Sequence, residues 1–153
     1  MPSVIGLHGG FTVGQHEPAA CLIIDGELKA IYEEERFNRI KSSYGLLPKY
    51  ALQALAKDYQ LKKNDIDLIV VDGITYKNTN ERWQLFVRRV LGFCPSIFVC
   101  HHQEAHAAAA FYGSGYEEAT AITLDAYGDN SSGSIYSCSR SKGLTLEKLY
   151  DTN

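Results

Sequence analysis

From residue 48 onward, short apolar runs alternate with stretches of helical periodicity, and this alternation confines the chain to a layered α/β arrangement. Pro48 marks a helix start, because its missing N–H costs nothing in a first turn. Leu52, Leu55 and Tyr59 follow at helical spacing. Residues 67–72 read Asp-Leu-Ile-Val-Val-Asp, an apolar run of the kind found in buried parallel strands. Trp83, Phe86, Val87 and Val90 form a second helical stripe, and Gly92 is its stop. Residues 96–100 read as a buried strand, the Ala-rich residues 105–110 as helix, and residues 119–124 as a strand ending at Asp125. Strands alternating with helices imply a mostly parallel sheet with helices on its faces.

The first 35 residues add an antiparallel element. Residues 4–7 and 19–24 are apolar runs separated by a Gly-rich segment, residues 8–14. Asp25-Gly26 then joins the second run to a return strand over residues 28–32. Asp-Gly between two β-type runs is a strong hairpin signal, because both positions tolerate positive φ. The predicted order is β-β-β-α-β-α-β-α in a mixed sheet. A further strand pair follows over residues 134–138 and 144–149, with Ser141-Lys142-Gly143 as its turn. The restart of a strand-turn-strand pattern at Ala119 suggests two subdomains, residues 1–118 and the opening of a second over residues 119–153.

At 153 residues, the chain fits one ordinary domain. A hydrophobic fraction of 45% with 22% charged residues predicts a real core. The net charge of −3 argues against a nucleic-acid surface, which needs a basic excess. No apolar stretch approaches the roughly 20 residues of a membrane span, and no signal-type leader opens the sequence. The four cysteines (Cys21, Cys94, Cys100, Cys138) include no C-x-x-C pair. Reduced thiols and a cytoplasmic location are expected.

Four stretches can carry chemistry. In His101-His102-Gln103-Glu104-Ala105-His106, helical geometry would set His102 and His106 on one face, able to share a metal ion. The alternative is a pair of ordinary surface or core histidines. In Thr123-Leu124-Asp125-Ala126-Tyr127-Gly128-Asp129, Asp125 ends a strand and can ligate a metal, while the turn at Gly128 can face a phosphate with its N–H groups. The alternative is a plain strand-to-turn connection. In the first loop, residues 8–17, His16 is a candidate general base beside amides able to hold phosphate oxygens, or else a solvated residue of a hairpin loop. In residues 33–41, Lys41 is a candidate point charge for a phosphate or carboxylate, or else part of a solvated charge run. No G-x-x-x-x-G-K-[ST] occurs, so a P-loop is excluded.

Taken together, these stretches resemble one family. Residues 16–26, His-Glu-Pro-Ala-Ala-Cys-Leu-Ile-Ile-Asp-Gly, then residues 33–41, Glu-Glu-Glu-Arg-Phe-Asn-Arg-Ile-Lys, are similar to the opening of the O-carbamoyltransferases of the nodulation and cephalosporin/aminoglycoside type. His101-His102 through His106 and on to Tyr112 resembles their H-H-x-x-H-A-x-x-A-F-Y. Residues 124–129 resemble their L-D-G-x-G-D/E. Glu17 stands where the family has Asp, Pro18-Ala19 replaces a small pair, and Ala126 replaces a Gly.

The resemblance implies an actin/Hsp70/sugar-kinase-like α/β half-domain, related to the tRNA-modifying threonylcarbamoyl transferases. It implies a metal site of His102, His106 and Asp125, with Fe²⁺ first and Mn²⁺ next. It implies a carbamoyl-transfer histidine at His16, and substrate or nucleotide contacts at Lys41, Asp125, Gly128 and Asp129. The implied reaction makes carbamoyl-adenylate from ATP and carbamoyl phosphate, then moves the carbamoyl group to a hydroxyl of a small-molecule acceptor. Family members are several times longer. The chain is therefore expected to be partial, to depend on the remainder of the enzyme as its partner, and not to complete the reaction alone. Two competing readings are a non-catalytic actin-like module that docks to a partner through an exposed apolar face, and a relative of the tRNA threonylcarbamoyl transferases.

Overall fold

A computed structural model describes residues 2–12, 14–141 and 145–152, apart from the side chains of residues 145 and 146. The chain forms two compact units. The first comprises Met1–Val71 and Asn78–Val99, the second Asp72–Lys77 and Cys100–Asn153.

The first unit is built on β1 (Ser3–His8), β2 (Ala19–Ile24), β3 (Glu27–Glu33), β4 (Leu68–Asp72) and β5 (Ser96–Cys100), in the spatial order β3-β2-β1-β4-β5. β2 runs antiparallel to β1 and β3, whereas β4 runs parallel to β1. The β2–β3 turn is the expected Asp25-Gly26, with φ of 52° and 79°. Alternation along β1 and β2 sends Ile5, Leu7, Ala20 and Leu22 into a core shared with Ile69 and Val71. Two helices, α2 (Lys49–Asp58) and α3 (Thr79–Leu91), cover that core with Leu52, Leu55, Trp83 and Val87. Each such side chain is worth about 1.5–3 kcal/mol on burial, so this cluster rather than helix propensity holds the two helices. Gly92, at φ 82°, ends α3 as expected.

The charge run at residues 33–36 differs from a solvated edge. Residues 34–38 form a short helix, α1 (Glu34–Asn38), and Glu34 is buried. Its carboxylate accepts from the N–H groups of Tyr50 (3.1 Å) and Ala51 (2.8 Å). Those are free donors of the first turn of α2, where the preceding Pro48 has no capping side chain. Glu35 accepts from the Ser42 N–H at 2.8 Å and so pins the 3₁₀ turn Lys41–Ser43. Glu33 and Arg36 form an exposed ion pair, and Glu35 lies 3.8 Å from the same guanidinium.

The second unit packs α4 (His102–Ser114) on an antiparallel sheet of β6 (Glu118–Gly128), β7 (Ser131–Ser139) and β8 (Thr145–Asp151), ordered β6-β7-β8. These elements run longer than the sequence runs that announce them. Ala107 and Phe111 meet Tyr136 and Cys138, flanked by Ala119 and Ala121. The division drawn between residues 118 and 119 separates α4 from β6 along the sequence, yet this contact groups them in space. On the other face of the sheet, Ile122 and Leu124 stand 66% and 87% exposed. The expected turn at residues 141–143 lies largely outside the described residues. No helix among the described residues is long and apolar enough to cross a membrane.

Candidate metal centre

The site lies within the second unit. α4 begins at His102, so His102 and His106 stand one turn apart on the same face, with ring centroids 4.6 Å apart. Asp125 reaches them because β6 is irregular: its pairing with β7 shifts register between Leu124 and Gly128. A bulge of this kind turns side chains away from the plain strand alternation. Contrary to the expectation of a strand closing at Asp125, β6 resumes at Gly128, which pairs with Ser131.

Three atoms converge. His102 Nε2 is 2.7 Å from Asp125 Oδ2 and 3.0 Å from His106 Nε2, and His106 Nε2 is 3.6 Å from the same Asp125 oxygen. Donors each about 2.1 Å from one ion lie roughly 3.0–3.4 Å apart, so the spacing fits a shared divalent cation. The donor set of two nitrogens and one oxygen suits Fe²⁺, Mn²⁺ or Zn²⁺. No other cluster of this type occurs among the described residues.

The opposite edge of the His102 ring is held as well. Nδ1 lies 2.7 Å from Asp72 Oδ2, at the end of β4. A carboxylate there fixes the ring orientation and directs Nε2 toward His106 and Asp125. The Asp72 hydrogen bond is the main cause of a His102 pKa pushed up to about 9; burial opposes it and Asp125 adds to it. For Asp125, burial raises the carboxyl, but the bonds from His102 and the Ala126 N–H outweigh that and leave it below the usual range. The Cys100 thiol, two residues before His102, is pushed up to about 12, chiefly by burial and then by Asp72, and stays an inert thiol.

The remaining expected site residues fall as follows. Gly128 is packed against His102, and a Cβ there would overlap the ring. Asp129, expected to face substrate or nucleotide, is instead buried and bonded to Ile74, Thr75 and the His102 N–H. Its four protein donors occupy the carboxylate that such a ligand would use. His16 and Lys41 belong to the first unit. The His16 ring is exposed, 5.2 Å from the Tyr44 ring and 3.6 Å from Glu17, and its carbonyl meets the His8 ring at 3.0 Å. Lys41 is exposed at the start of its 3₁₀ turn. Asp72 and Thr75 were not marked as site residues in the sequence. The available signal is an Asp directly after an apolar strand run, the same placement that singles out Asp125.

Of the established protein-family profiles, none matches the chain. Nodulation protein NolNO of Sinorhizobium fredii is 32% identical, over 77% of this chain and 20% of that protein. An uncharacterised protein of Synechocystis, sll1178, is 26% identical, over 84% of this chain and 26% of its own length. The chain thus spans about a fifth to a quarter of the curated relatives it matches. YeaZ from Pseudomonas aeruginosa shares the fold with a TM-score of 0.55 at 10% identity, over 98% of this chain and 65% of that one. The fold is that of an actin-like half-domain. Within that class, the similarity to nodulation protein NolNO over 77% of this chain supports kinship with the NodU-type carbamoyltransferases.

Proposed function

We propose that this chain is the metal-bearing part of an O-carbamoyltransferase, and that His102, His106 and Asp125 hold a divalent ion, Fe²⁺ first and Mn²⁺ next. The observation that carries this reading is the meeting of those three side chains in a chain of this kinship. The ion, once bound, would orient phosphate oxygens of the carbamoyl donor and offset their charge. The residues of the chain have narrower tasks. Asp72 holds the His102 ring, Gly128 leaves room for it, and Lys41 offers a point charge to phosphate. His16 takes the proton of the acceptor hydroxyl. The acceptor oxygen then bonds to the carbamoyl carbon as the bond from that carbon to the adenylate phosphate breaks, releasing AMP. The carbamoyl-adenylate itself comes from ATP and carbamoyl phosphate: water cleaves carbamoyl phosphate to carbamate and phosphate, and the carbamate oxygen then bonds to the α-phosphorus of ATP as pyrophosphate leaves. The remainder of a longer protein, or a partner subunit, supplies the rest of the machinery. We place the reaction in the cytoplasm.

The test is metal content. The chain loaded anaerobically with Fe²⁺ or with Mn²⁺ should hold about one ion per molecule, and His102→Ala or His106→Ala should lose it. Equal metal content in both variants and the parent removes the proposal.

A second reading has its own support in the exposed Ile122 and Leu124. It makes the chain a non-catalytic actin-like module that docks to a partner through that apolar face. A monomer that stays soluble at high concentration and buries no apolar surface on meeting the remainder of the protein argues against it. The tRNA threonylcarbamoyl alternative draws on the YeaZ-like fold alone.

A further inference from the structure

Asp129 is 3% exposed, in the two-residue turn between β6 and β7. One oxygen accepts from the Thr75 N–H (3.1 Å) and the Thr75 hydroxyl (2.8 Å). The other accepts from the Ile74 N–H (3.2 Å) and the His102 N–H (2.8 Å). A carboxylate has about four acceptor positions, and all four are met here. The charge also sits at the N-terminus of α4, where the helix dipole favours it.

The donors come from two segments far apart in sequence that meet once more nearby. Ile74 and Thr75 follow Asp72 by two and three residues, and Asp72 touches the His102 ring at 2.7 Å. The contacts close a ring: from Asp72 along the chain to Thr75, across Asp129 to the His102 backbone, through its ring, and back to Asp72. Pairing of β4 with β5 in the sheet already brings residue 72 beside the start of α4. Asp129 adds a second restraint just beyond the strand ends, because one rigid carboxylate group bonds to both segments.

We infer that Asp129 is a positioning residue that sets the Asp72–His102 distance, and so determines which nitrogen of His102 faces His106 and Asp125. The inference rests on the metal-centre reading for its metal readout alone. Asn at position 129 would keep one acceptor oxygen and turn an NH₂ toward backbone donors, so it should loosen the ring without emptying the space.

The experiment measures Mn²⁺ and Co²⁺ binding to the parent, Asp129→Asn, Thr75→Val, Asp72→Asn and the double Asp72→Asn/Asp129→Asn variant. Asp129→Asn should weaken binding by about 10–100-fold, the range for loss of an outer-shell partner, with one ion still bound at saturation. Thr75→Val should weaken it by less. The double variant should bind no more weakly than Asp72→Asn alone, because both changes release one restraint. An affinity within about twofold of the parent in Asp129→Asn, or additive losses in the double variant, overturns the inference.

A metal-free readout accompanies it. The ring N–H proton that His102 shares with Asp72 should give a low-field NMR resonance in the parent that is absent in Asp72→Asn and lost or shifted in Asp129→Asn. An unchanged resonance in Asp129→Asn also overturns the inference. If the parent holds no metal while this resonance disappears in Asp129→Asn, the metal centre fails and the positioning role stands. If Asp129→Asn does not fold, Thr75→Val decides the question by the same two readouts.

Discussion

Gly128 lies flat against the imidazole of His102, so that a Cβ on Gly128 would stand 2.7 Å from Nε2 and closer still to two ring carbons. Its φ is not positive, so the glycine is needed for space and not for backbone freedom. Gly128→Ala should push the ring out of line with His106 and Asp125. We expect the divalent affinity to fall more than tenfold, against a stability cost of about 1–3 kcal/mol for overpacking. Mn²⁺ titration alongside thermal unfolding separates the two effects. A full-strength site in the Ala variant would show that the ring tolerates the shift.

Asp151 provides the clearest acid-sensitive contact. Its carboxylate accepts from the Ser131 hydroxyl (2.5 Å), the Ser134 hydroxyl (2.7 Å) and Lys148 Nζ (3.0 Å). These hold its pKa well below the usual carboxylate value, the Ser131 bond most strongly. A depressed folded-state pKa stabilises the native form above the unfolded value, near pH 3.9, and the benefit drains away as pH falls below it. The parent should therefore lose stability steeply below about pH 4. Asp151→Asn should be less stable at neutral pH, with a flatter acid limb. Urea unfolding at several pH values checks this, and parallel curves for the two proteins would rule it out.

Glu17 stands where the resembled family has Asp, and it takes a left-handed φ of 56°. That region is costly for a side chain such as Glu and easier for Asn or Gly. Its ion pair with His16, at 3.6 Å, is exposed on both sides and offsets little. Glu17→Asn should raise stability by about 0.5–1 kcal/mol. A lower melting temperature in the Asn variant would mean that the carboxylate has a contact worth more than the strain.

The strand-helix order was legible because each buried strand is a continuous apolar run and each helix carries a stripe, as with residues 67–72 and with Trp83 and Val87. The His102–His106 pair was legible because helical spacing is local. Asp125 could be picked out by its place at the end of a run. Asp72, Thr75 and the true setting of Asp129 were not legible, because their partners lie about 30 to 55 residues away and polar pairing leaves no periodic trace. Glu34 misled for the same reason. A glutamate in a charged run reads as solvated until the free N–H groups of α2, 16 residues further on, are seen to need it.

Arg140 shows how a single side chain closes the far end of α4. Its guanidinium donates to the carbonyls of Tyr112 (2.8 Å) and Tyr116 (2.8 Å), and more weakly to Phe111 (3.4 Å). The Phe111 and Tyr112 carbonyls belong to the last turn of the helix, where intrahelical partners run out. The group also lies 5.3 Å over the Phe111 ring, which is itself core. Removing it leaves carbonyls at a helix C-terminus without their cation, so Arg140→Ala should cost about 1.5–3 kcal/mol. Arg140→Lys should recover only part, since an ammonium is a compact point charge and does not present the planar fork that reaches separate carbonyls. His106 lies in the first half of α4, well before this turn, so metal affinity at a temperature where the variant is folded should match the parent. Hydrogen exchange of the Phe111–Ser114 amides, read beside a metal titration, tests both halves: faster exchange with unchanged affinity is expected, and a loss of affinity would mean that the helix transmits its frayed end to the site.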